Sequence, residues 1–164
     1  MKNAWGSNPV FDANVFRVGA TDETNKDSTG NSHVFYAFRS IPGVCKVGSY
    51  IGNGDGTGSD TVNGPYISTG FKPRWIMFKW MNGGSLSAEG WVIKDTARQT
   101  VNPNDDADIY ASASGAEAAG GTHGVDILAD GFKIRGGGGA VNKSGAKYLY
   151  LAMAEIGGGG TLPP

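Results

Sequence analysis

Apolar and polar residues alternate along this chain in short runs separated by glycine, and no window keeps apolar residues at helical spacing for three turns. The pattern predicts an all-β protein. In residues 33–39, Val34, Tyr36 and Phe38 share one face of a strand, while His33, Phe35, Ala37 and Arg39 share the other. Further strands are expected at residues 45–51, 91–94, 125–128, 132–135 and 148–154; the last sets Leu149, Leu151 and Met153 opposite Tyr148, Tyr150 and Ala152. Residues 75–80 are apolar at nearly every position, as in a strand covered on both faces. Pro73 fixes its own φ and lacks a ladder donor, so that strand is expected to begin at Arg74 or Trp75, with Phe71 packed at its mouth. Asn53-Gly54, Asn63-Gly64, Asn82-Gly83 and Asp130-Gly131 tolerate positive φ, and Asp130-Gly131 lies between two apolar runs as a hairpin requires. Short strands at this spacing indicate an antiparallel β-sandwich, jelly-roll-like, with long glycine-rich loops.

One strand-turn-strand pattern occurs twice. FDANVFRV at residues 11–18 matches ILADGFKI at residues 127–134, and each is followed by a polar, glycine-containing loop and an aromatic run, VFYAF in the first and LYLAM in the second. Two readings stand: equivalent hairpins flanking a middle segment of one closed β-domain, or a chance match of generic strand patterns.

Composition narrows the picture. A chain of 164 residues fits one domain, and a chain of this size buries roughly 70% of its unfolded surface. The 28 glycines and 7 prolines fall short of the share that marks disorder and belong in turns and loops. Fourteen basic against fifteen acidic residues give a net charge of −1, which lacks the basic footprint of nucleic-acid binding. Cys45, the only cysteine, cannot form an internal disulfide or a thiolate metal site and is expected as a small buried strand residue. Neither an export signal nor an apolar run long enough to span a membrane is found, so no membrane insertion is expected.

Candidate chemistry is sparse. His33 and His123, the two histidines, lack the spacing that gathers imidazoles on a metal; His33 is expected at a strand start and His123 in a loop. NGDGTGSD at residues 53–60 and NPNDDAD at residues 102–108 offer oxygen ligands, but the first has Gly64 where an EF-hand needs its closing glutamate, and solvated loops are the expected reading of both. Asn142-Lys143-Ser144 fits the glycosylation pattern and reads as turn chemistry. Trp75, Trp80 and Trp91 could form a sugar-stacking platform; aromatics in apolar strands are more often core, which leaves Trp80, beside a loop, as the glycan candidate. Asp95 and Arg98 in DTAR are placed for a local polar contact that orders a long connection, and Lys72, Arg74 and Lys79 for a solvated flank. No catalytic residue, cofactor site or metal site is assigned.

The ordered series TGF-x-P, a strand ending in Lys79, WVIKDTAR, DGF and SGAKYLYLA, together with YAFRSIPGVCKVGSYIGNG before it, resembles a domain near the C-termini of bacteriophage structural proteins, especially tail, fibre and virion-surface proteins of marine and cyanobacterial phages. The resemblance runs from about Val15 to Glu155. It implies a β-sandwich virion component without enzymatic activity, made in the host cytoplasm and carried on the capsid surface or tail. Its implied partners are other virion proteins and copies of itself, trimers being common in such roles. The alternative is a module that binds host-surface carbohydrate. Residues 1–156 are expected to form the sandwich and residues 157–164 a glycine- and proline-rich tail, whose Gly157, Gly158, Thr161, Leu162, Pro163 and Pro164 are the candidate docking contacts.

Overall fold

A computed structural model describes residues 15–16, 32–55, 63–81, 90–98, 102, 108–111, 114–117 and 123–155. The chain divides into two compact units, Met1–Ala37 and Phe38–Pro164. In the first, the rings of Phe16 and Phe35 meet edge to face with centroids 4.7 Å apart. The sheets described next belong to the second.

The described residues of the second unit form eight strands in two antiparallel sheets. They are β1 (Cys45–Ile51), β2 (Tyr66–Ser68), β3 (Pro73–Trp80), β4 (Val92–Asp95), β5 (Ile109–Tyr110), β6 (Val125–Leu128), β7 (Gly131–Ile134) and β8 (Lys147–Ala154), with one short helix, α1 (Gly139–Asn142). Five strands run in the order β1-β8-β3-β4-β5 and three in the order β2-β7-β6. This is an all-β, sandwich-like architecture, and among the described residues neither sheet closes on itself.

Period-two alternation builds the core. Ile76, Phe78 and Trp80 of β3 point inward with Tyr148, Tyr150 and Ala152 of β8, while Trp75, Met77 and Lys79 on the opposite face are half-buried. One face of β3 is therefore fully covered, not both as its apolar run suggested. The three-stranded sheet contributes Ile67, Val125, Ile127, Phe132 and Ile134. Phe132 joins the layers: its ring meets Tyr150 at 5.3 Å and Tyr50 at 6.4 Å between centroids, both edge to face. Lys46 adds a polar tie, donating from Nζ to the Ser68 carbonyl at 2.8 Å.

The Asp130-Gly131 hairpin forms as expected, pairing Leu128 with Gly131 and Ile127 with Phe132. The Asp130 carbonyl also accepts the backbone N–H groups of Thr69 and Gly70, at 2.9 and 3.0 Å. Gly70 takes φ +81°, and Phe71 packs partly buried against the core at the mouth of β3, which starts at Pro73. Two exposed ladder edges are capped by side chains. Ser40 Oγ accepts the Val47 N–H of β1, and the Asn102 amide both accepts the Ile127 N–H of β6 and donates to its carbonyl, at 2.9 and 3.0 Å. Such caps occupy groups that would otherwise template another strand.

The segment VFYAF departs from its expectation. Residues 32–40 form no strand, and Val34, Phe35, Tyr36 and Phe38 are 79%, 67%, 81% and 50% exposed. Alternation makes a segment able to enter a sheet, but a strand also needs a neighbour for its ladder, and none pairs with this run among the described residues. Of the first repeat, residues 11–18, only Val15 and Phe16 lie within the described residues.

Candidate functional site

The buried chemistry of the domain lies on the inner face of β4. Val92 and Lys94 alternate with Ile93 and Asp95, so the parity that buries Val92 buries Lys94 as well. Pairing of Ile93 with Ile109 sets Asp108, the residue before β5, beside Lys94. Lys94 is 0% exposed and Asp108 2%, and Lys94 Nζ lies 2.5 Å from Asp108 Oδ1. The other oxygen, Oδ2, is 2.6 Å from Nδ1 of His123, just ahead of β6, and 3.4 Å from the Tyr110 hydroxyl. A carboxylate only accepts, so His123 Nδ1 carries the hydrogen. Burial drives the Asp108 carboxyl upward, but the His123 hydrogen bond and the Lys94 contact outweigh it and hold the group below the ordinary carboxylate range. Burial, and then the Asp108 charge, push the Tyr110 phenol up, which keeps it a protonated donor.

The hydrogen-bond partners of His123 among the described residues are Asp108 and Tyr110. The one hydroxyl printed against this Asp-His pair is the Tyr110 phenol, and no group of three metal-ligating side chains is found among the described residues. The arrangement fixes charge inside the core and holds β4, β5 and the approach to β6 together.

A second polar hub explains the GNG and GAVNKSG motifs. Asn142, 0% exposed on α1, accepts the Asn53 N–H through Oδ1 at 3.1 Å and donates through Nδ2 to the Asp55 carbonyl at 3.2 Å. Tyr50 and Tyr148 stack at 4.9 Å and donate to the Val141 and Gly139 carbonyls, so β1 and β8 carry the helix on two hydroxyls. Gly52 fits this junction because a Cβ there would run into the Lys143 carbonyl oxygen. Asn142 is thus a buried structural amide, and Asn53 of the NGDGTGSD run uses its Oδ1 on the Asp55 N–H within a local turn. Residues 56–60 and 103–107 lie outside the described residues.

DTAR forms the contact its spacing implied. Asp95 Oδ1 accepts the backbone N–H groups of Ala97 and Arg98, both at 2.9 Å, and Arg98 Nε lies 2.6 Å from Oδ2. Arg98 also reaches Glu117 at 2.9 Å. Burial raises the Asp95 carboxyl, but the Arg98 backbone and side-chain hydrogen bonds prevail and lower it. A carboxyl lowered in the folded state adds stability above its unfolded value of about 3.9, and that stability is lost as pH falls through the folded value. Asp95→Asn is therefore expected to be less stable than wild type at neutral pH. The gap should shrink as pH drops below about 4, measured by denaturant midpoints across a pH series.

The surface candidates fall in different places. Trp80 is 9% exposed in the core, its ring covered by Lys143 Nζ 4.5 Å from the centroid, so a sugar would reach it only by displacing that lysine. Trp75 and Trp91 are half-buried, the reverse of the order their positions suggested, because parity on β3 turns Trp80 inward and Trp75 outward. Lys79 lies over Trp91 at 5.4 Å, and Lys72 and Arg74 each approach Glu155 at 3.6 Å. Cys45 is a free, half-buried thiol on β1. His33 is exposed and outside any strand. The tail contacts Gly157, Gly158, Thr161, Leu162, Pro163 and Pro164 lie outside the described residues. No helix among the described residues is long and apolar enough to cross a membrane.

The class defined by these observations is an antiparallel, two-sheet β-domain with an ionic cluster in its core. The chain belongs to the family described as Domain of unknown function (DUF7483), which matches residues 2–156. No curated protein and no solved structure matches it.

Proposed function

We propose that this chain is a non-enzymatic structural protein of a bacteriophage particle, a capsid decoration, spike or tail-fibre component that assembles with copies of itself and docks on the particle. The observation that carries this reading is the exposed apolar run at residues 34–38, with Val34 79% and Tyr36 81% exposed. Large apolar side chains exposed together in one short run are more often an interaction site than apolar residues scattered singly. The ordered motif series that resembles virion-surface domains supplies the particle. The buried ionic cluster serves cohesion in this reading.

A host glycan is the second reading, and what favours it is a different ring. Tyr66 of the second unit, 46% exposed, presents an open ring that Trp80 lacks. The two readings are compatible in one particle-surface protein.

Imaging of washed, purified particles with a gold-labelled antibody against this chain tests the proposal. Gold at one fixed position on head, tail or fibre is the expected result. A chain abundant in the lysate and absent from the particles overturns it.

A further inference from the structure

The Lys94–Asp108 pair is unusual for an ion pair in a core. Lys94 has three donor hydrogens and no exposed surface, and among the described residues Asp108 is its only polar partner. The Nζ···Oδ1 separation is 2.5 Å, yet neither atom is placed in hydrogen-bond geometry with another group. Two charges taken out of water are costly unless their remaining donors and lone pairs are satisfied. Here they are not, whereas the neighbouring Oδ2 is well held by His123 at 2.6 Å.

We propose that Lys94 and Asp108 condense in the folded domain to an intramolecular isopeptide amide. The ion pair reacts through its minor neutral form, reached when Nζ passes one proton to Oδ1. The freed lone pair attacks Cγ, and the Cγ–Nζ bond forms. A second Nζ hydrogen moves to Oδ1, the Cγ–Oδ1 bond breaks, and Oδ1 leaves as water. Both hydrogens of that water come from Lys94, one remains on the amide nitrogen, and no oxidant, reductant or co-reactant is needed. His123 is a positioning residue in this step: its Nδ1–H holds Oδ2, which carries negative charge in the tetrahedral intermediate and becomes the amide carbonyl. Attack is favoured by proximity, since β4 and β5 hold amine and carboxyl in contact in a site that excludes water. The product exchanges two buried charges for one neutral amide and ties β4 to the entry of β5. It deepens the reading of a cohesive particle protein without depending on it, because the bond can form in any folded copy.

Intact-mass spectrometry of the purified full chain is the test, with Lys94→Arg as the comparison, which keeps the positive charge and removes the amine nucleophile. The expected wild-type mass is lower than the sequence mass by one water molecule. Trypsin should fail to cut after Lys94, and one branched peptide should contain both Lys94 and Asp108. Lys94→Arg should show its full sequence mass. A wild-type chain at full sequence mass with normal cleavage after Lys94 overturns the proposal. So does a loss of water that persists in Lys94→Arg, because Asp130-Gly131 can lose water by succinimide formation instead. The particle imaging proposed above is unaffected by either result, so the two ideas fail independently.

Discussion

Asp108→Ala is expected to destabilise the domain by about 3–5 kcal/mol, the cost of leaving an uncompensated charge in a core. Lys94 would then be a fully buried ammonium without its carboxylate, and His123 and Tyr110 would lose the oxygen they share. Part of the penalty comes from the orphaned amine, so adding Lys94→Met to Asp108→Ala should recover that part by replacing the charge with an apolar chain of similar length. Denaturant midpoints of wild type, single and double variants measure both effects. A single variant as stable as wild type would mean that the cluster is solvated and carries no structural weight. A double variant no better than the single would assign the loss to a missing cross-link or to packing, not to the stranded charge.

This cluster also shows where reading the chain stops. The strands β1 and β6 have the bounds their alternation indicated, and the Asp130-Gly131 hairpin follows from turn chemistry, because both signals are local. The ion cluster is not local: Lys94, Asp108 and His123 lie on three segments, and the sequence placed Asp108 in a solvated acidic run and His123 in a loop. One local hint existed. Lys94 shares its parity with Val92 in an apolar strand, and a lysine pointing inward demands a carboxylate. α1 was invisible for a related reason, since its four residues, three of them buried, are carried by Tyr50 and Tyr148 from distant strands. β5, two residues long, is too short for periodicity to register. Residues 34–38 show the opposite failure, strand patterning with no partner strand among the described residues.

That unpaired run gives the second large effect. Val34 and Tyr36 are among the most exposed apolar side chains described, and a role in assembly predicts that charge placed there abolishes association without harming the fold. Exposed substitutions away from special features usually change stability by no more than about 0.5 kcal/mol. A charged group buried in an interface without a partner instead costs several kcal/mol per copy, on the order of what holds a modest oligomer together. Two such groups per copy should therefore shift the chain fully to monomer.

Sedimentation equilibrium of the isolated chain, beside Val34→Asp/Tyr36→Asp, tests most directly the claim that this domain exists to associate. The expected result is a wild-type mass of two or more times 17.0 kDa and collapse of the double variant to the single-chain mass with an unchanged far-UV circular dichroism spectrum. A wild-type chain that sediments as a single copy at every concentration would contradict it.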